Sequence, residues 1–136
     1  MTPREAADRL FNRIMTAAEN GNLEEARRFA PMGIDAYRVL PAQDRDTLFH
    51  LGLIHGVAGN EAEVARAIAA MRDGAPNHLL ALFLLYEAAK RTGDLAAADR
   101  AVLAFAAAYP IESAQPRPEY EAHRGTIERF MEGAGR

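Results

Sequence analysis

The side chains that could carry chemistry in this 136-residue chain are few: four histidines, one serine and a scatter of carboxylates. His50 and His55 lie five residues apart, about 140° around a helix, so a single metal ion cannot draw on both. No His-x-x-x-His pair occurs, and no carboxylate completes a ligand set, so no metal site is expected. Ser113 has no histidine at a spacing that would make it a nucleophile. Asp44 and Asp46 flank Arg45 where a helix begins, a place that favours carboxylates for the helix dipole alone. The glycines stand singly at helix ends, so no loop is present to cradle a phosphate. No catalytic residue and no cofactor is expected, and the chain reads as non-enzymatic.

The composition sets the class of elements that must hold these residues. Apolar residues make up 49% and charged residues 26%, an ordinary globular balance in a chain of single-domain length. Alanine is frequent and β-branched residues are sparse, which favours helix over strand. A net charge of −3 leaves no excess of positive charge for phosphates, so a nucleic-acid partner is not expected. Lys90 is the only lysine, against fifteen arginines, which reads as coding bias rather than a phosphate clamp. The absence of cysteine excludes disulfides, thiolate catalysis and cysteine-ligated zinc. The chain opens into an amphipathic pattern with no signal peptide, which points to a cytoplasmic location. Its longest apolar run, Leu79 to Tyr86, is too short to insert in a membrane.

Three features share one period. Gly21, Gly59 and Gly93 are spaced by 38 and 34 residues, and each is followed by Asn22, Asn60 or Asp94, residues that cap helix starts. Glu25 and Glu63 stand three residues after the first two caps, a capping-box pattern. Leu10-Phe11, Leu48-Phe49 and Leu82-Phe83 repeat at the same two spacings, and so do Ala26, Val64 and Ala98. Pro76 and Pro110 lie 17 residues after their glycines and are expected to close the second helix of each pair. Pro31 and Gly33 predict a kink or short interruption in the second helix of the first pair.

A helix–turn–helix unit of this period resembles the tetratricopeptide repeat (TPR), with Leu48, Leu51, Gly52, His55, Gly59, Val64, Ile68, Met71 and Pro76 as the best-matching unit. His55 replaces the usual tyrosine there and Val64 the usual alanine, while Arg13 and Ile14 stand where the first unit would have Leu-Gly. The resemblance implies an all-α right-handed superhelix of about seven helices in a single domain. Its repeats would span about 5–42, 43–76 and 77–110, with a linker at 111–117 and a capping helix at 118–132. The run from Arg117 to Arg124 is similar to helices that close bacterial TPR domains.

The resemblance also implies a function: an adaptor or scaffold whose concave groove, lined by the first helix of each pair, binds a protein or peptide. On this chain the groove would be lined by Phe11, Asn12 and Met15, then Phe49, His50 and Leu53, then Phe83, Leu84 and Glu87. The basic residues of a carboxylate clamp are missing, since Asp8, Asp46 and Leu80 occupy the positions concerned. The alternatives are self-association into a homodimer and service as a regulatory domain of a larger protein.

Overall fold

The computed structural model describes residues 1–134 and is all-α, with no strand among the described residues. Eight helices follow in order: α1 (Pro3–Glu19), α2 (Leu23–Arg38), α3 (Arg45–Ala58), α4 (Glu61–Arg72), α5 (Leu79–Thr92), α6 (Leu95–Glu112), α7 (Pro118–Ala122) and α8 (Arg124–Ala134). Among the described residues, no helix is long and apolar enough to cross a membrane. The chain forms two compact units, one from Met1 to Ala67 and one from Ile68 onward, with the division falling within α4.

The three periodic turns are built alike. Gly21, Gly59 and Gly93 take φ of +79°, +80° and +77°, the left-handed region where a side chain would be strained. At each, the residue after the glycine donates its N–H five residues back, as Asn22 does to Ala17 at 2.8 Å, Asn60 to His55 at 2.9 Å and Asp94 to Ala89 at 2.9 Å. The glycine's own N–H reaches three residues back, completing the Schellman pattern that satisfies the last carbonyls of the helix. The next helix is then capped by a side chain at Asn22 and at Asp94. Asn60 differs, because its carboxamide N–H turns to His55 Nδ1 at 3.2 Å.

In the first unit α1 packs on α2, and both meet α3. The core is built from Ala7, Ile14 and Ala17 of α1, Ala26, Ala30, Ile34 and Tyr37 of α2, and Leu51 and Ile54 of α3. The interruption expected at Pro31–Gly33 does not occur, for α2 runs unbroken through both. Pro31 lies on the exposed face, so its missing N–H costs one bond to the Arg27 carbonyl and no packing. Gly33 serves the packing instead: a Cβ there would stand 2.7 Å from Ile14 Cδ1 and 3.2 Å from Ile54 Cδ1.

In the second unit α5 pairs with α6, and α8 packs on both. Pro110 does not end α6, which continues to Glu112 with the proline ring on the exposed side. The single capping helix expected over 118–132 is two helices, which raises the count to eight. The break falls at His123, whose φ of −120° and ψ of 29° leave the helical region. The two pieces have different anchors. Tyr120 and Glu119 of α7 are buried and bond to the start of α5, whereas α8 seats Ile127 and Phe130.

Candidate functional site

The polar centre of the first unit is assembled by three helix segments. Asp8 comes from the middle of α1, Tyr37 from the last turn of α2, and Asp46, Thr47 and His50 from the start of α3. Asp44 caps α3 by accepting from the Thr47 N–H at 2.8 Å, which fixes where that helix begins. Gln43 donates to the Tyr37 carbonyl at 2.8 Å and to the Leu40 carbonyl at 3.0 Å, which closes α2 and holds Tyr37 in place.

Tyr37 is fully buried, and its hydroxyl donates to Asp8 Oδ1 at 2.6 Å. That uses the hydroxyl's one proton, so the 2.8 Å contact between the same oxygen and His50 Nδ1 must be an N–H donated by the histidine. His50 therefore carries a proton on Nδ1, and a directed chain runs from His50 through Tyr37 to Asp8. Burial, followed by the bond to Asp8, pushes the Tyr37 phenol well above its ordinary value, so it remains a neutral donor. Arg4 clamps the open side. Its Nε meets Asp8 at 3.1 Å, one NH donates to Thr47 Oγ1 at 2.9 Å, and the other pairs with Asp46. Burial works against the charge on Arg4, but Asp8, Asp46 and Asp44 together outweigh it and hold the guanidinium above its ordinary value.

Phe11 lies flat against the His50 ring, with centroids 4.0 Å apart and planes 15° apart. Because Tyr37 fixes the imidazole, the phenyl ring has a fixed seat. Phe11 is half-buried, Met15 follows one turn later on the same face of α1, also half-buried, and Asn12 beside them is exposed.

The second unit also buries a histidine, a tyrosine and a carboxylate, at the junction of α5 and α7. His78 precedes α5 and accepts the Leu80 N–H on Nδ1 at 3.2 Å, so its proton sits on Nε2 and is donated to Glu119 Oε2 at 2.7 Å. The Tyr120 hydroxyl accepts the Leu79 N–H at 2.9 Å and donates to Glu112 Oε1 at 2.7 Å. Burial first, then the bond to Glu112, raises the Tyr120 phenol.

The nine groove candidates divide by exposure. Phe49 and Leu84 are each 1% exposed and His50 is 7% exposed, so they present almost no surface. Phe11, Met15, Leu53, Phe83 and Glu87 are partly exposed and Asn12 is open. The three phenylalanines of the repeated Leu-Phe pair therefore have different surroundings. Phe11 covers His50, Phe49 is interior, and Phe83 meets the Phe130 ring of α8 edge-on at 5.4 Å. Phe130 also stands against Tyr86 at 5.0 Å and Phe105 at 4.6 Å, so the last helix fills the aromatic face of the second unit.

Sequence reasoning did not find the Asp8–Tyr37–His50 chain or the Arg4 clamp. One signal was available: Arg4–Asp8 and Asp46–His50 are both i,i+4 pairs that face each other once α1 lies beside α3. The chain matches no family profile, no curated protein and no solved structure.

Proposed function

We propose that the chain is a non-enzymatic, TPR-like interaction module that captures a peptide or short helix on the α1 surface of its first unit. The observation that carries this reading is the fixed seat of Phe11, stacked at 4.0 Å on a histidine that Tyr37 immobilises. A ring whose rotamer is already set loses little entropy when a partner covers it, which is what an anchor residue requires. Met15 extends the apolar strip by one turn, Asn12 offers an amide donor and acceptor, and Arg4 with Asp8 supplies a charged end. A segment laid along α1 would meet apolar contacts flanked by polar ones, the arrangement of helix-in-groove recognition.

The polar chain behind Phe11 fits a strut better than a catalyst. Tyr37 is fully buried, one face of the His50 ring is covered by Phe11, and Arg4 occupies the carboxylates that a substrate would need.

The test is selection from a displayed peptide library on the immobilised protein, followed by titration of a selected peptide into 15N-labelled protein. The expected result is shifts concentrated at Phe11, Asn12 and Met15, and loss of binding in Phe11→Ala with the circular dichroism unchanged. Failure to select any peptide, or shifts elsewhere, would overturn the reading.

A further inference from the structure

Helix α6 shows a second surface feature that the peptide reading does not use. Its core face carries Ala98, Ala101 and Phe105, all buried. The opposite face carries Leu103, Ala104, Ala107, Pro110 and Ile111, all exposed, with Ala114 just beyond the helix end. Leu103 is 70% exposed and Ile111 71%, so two large aliphatic side chains stand open two turns apart, with only small or cyclic apolar residues between them on that face. No charged side chain lies on this face between Arg100 and Ala114, since Glu112 turns away to accept the Tyr120 hydroxyl. Ordinary amphipathic helices turn a charged face to water. Beyond Asp99 and Arg100, which are exposed near its start, helix α6 is apolar on its outward face as well as its core face.

We propose that this face is a homodimer interface, in which α6 of one copy packs antiparallel on α6 of a second, with the two-fold axis passing at Ala107. The geometry favours a second copy because the stripe is self-complementary. Leu103 and Ile111 are each four residues from Ala107, so an antiparallel partner sets Leu103 of one copy against Ile111 of the other at both ends of the contact. The alanines at 104, 107 and 114 are small enough to receive those side chains and let the helices approach. The size of the strip also bears on affinity. From Arg100 to Ala114 it is about 20 Å long, and taken on both copies it falls below the roughly 1,200 Å² of a standard interface. The dimer is therefore weak and concentration-dependent, and it forms independently of the α1 surface.

The chain has no cysteine, so one introduced thiol reports without background. Ala107→Cys places that thiol on the two-fold axis, where it meets its own copy, whereas Ala65→Cys places it on an exposed site outside α6. Under mild oxidation Ala107→Cys should crosslink at least about tenfold faster than Ala65→Cys. Sedimentation velocity of the natural chain from about 10 μM to 1 mM should show a monomer passing to a dimer. Leu103→Glu should remain monomeric throughout with an unchanged melting curve, because Leu103 contributes nothing to the core. A natural chain that stays monomeric at the highest concentration would overturn the proposal. So would a dimer that survives Leu103→Glu, or equal crosslinking of the two cysteine variants. None of these outcomes touches peptide capture at Phe11, so the two readings fail separately.

Discussion

His50 and His78 are both buried, and each lies within hydrogen-bond reach of a tyrosine or a carboxylate; His50 sits in the second turn of α3 and His78 caps the start of α5. They hold opposite tautomers. His50 donates from Nδ1 into a side-chain relay that ends on Asp8, whose carboxylate is partly open to water. His78 accepts a backbone N–H on Nδ1 and gives its Nε2 proton to Glu119, which is buried. One histidine is tied to the surface and the other to the main chain. The difference teaches that burial alone does not say what a histidine is tied to; where its hydrogen bonds terminate does.

The sharpest way to break this comparison is to delete side chains at matched positions of the two Leu-Phe pairs in the first unit. Phe49→Ala should destabilise the protein by about 3–5 kcal/mol, because the ring is interior and its loss leaves a cavity. Phe11→Ala should cost less, about 1–2 kcal/mol, because the half-buried ring stacks on His50 and packs only against the edge of the core. Urea denaturation measures both. Equal losses would mean that Phe11 is core, and the anchor reading would fall with it.

Next in size is the histidine pair itself. His78→Ala strands the Glu119 carboxylate and the Leu80 N–H away from water and should cost about 3 kcal/mol. His50→Ala should cost about 1–2 kcal/mol, since Asp8 keeps Arg4 and solvent while the Tyr37 oxygen loses a donor and Phe11 its stacking partner. Tyr37→Phe tests the same relay from its middle. It should cost about 1–2 kcal/mol and leave the His50 Nδ1–H without its acceptor, which a long-range 1H–15N spectrum of the imidazole would register as a changed Nδ1 shift.

The parts of this architecture legible in the sequence are those set by local chemistry. The three glycine turns could be placed because a left-handed C′ residue followed by a capping side chain is a short-range device. The all-α class followed from alanine content and helical period. What was not legible depended on contacts distant in sequence. Pro31–Gly33 has the composition of a break, yet Ile14 and Ile54 occupy the space that Gly33 leaves, and the packed faces carry the helix past the proline. Leu10-Phe11, Leu48-Phe49 and Leu82-Phe83 repeat in sequence, but their phenylalanines differ in burial because the neighbours of each pair differ. The His50 relay needed Asp8 and Tyr37, 42 and 13 residues away, and no period in the sequence links the three.

The smallest expected effect concerns two groups whose charge burial disfavours, one in each unit, with opposite signs in pH. Burial, reinforced by Arg38 against the opposing pull of Glu63, lowers the pKa of His55 below 6.5, so the folded protein declines a proton that the unfolded chain accepts. Stability is then unaffected above pH 6.5 and falls as pH drops from there toward the folded value. Burial raises the pKa of Glu87 above 4.5 despite Arg91, so the folded protein holds a proton that the unfolded chain releases. Its contribution is fully present below pH 4.5 and is lost as pH rises through the folded value. His55→Gln should therefore flatten the decline in melting temperature between pH 7 and pH 5. Glu87→Gln should raise the melting temperature at pH 7 and give no gain at pH 4. Each shift should stay within about 4 °C for a domain of this size. Calorimetry at the three pH values measures both. A Glu87→Gln gain that is equal at pH 4 and pH 7 would assign its effect to packing rather than to the buried charge.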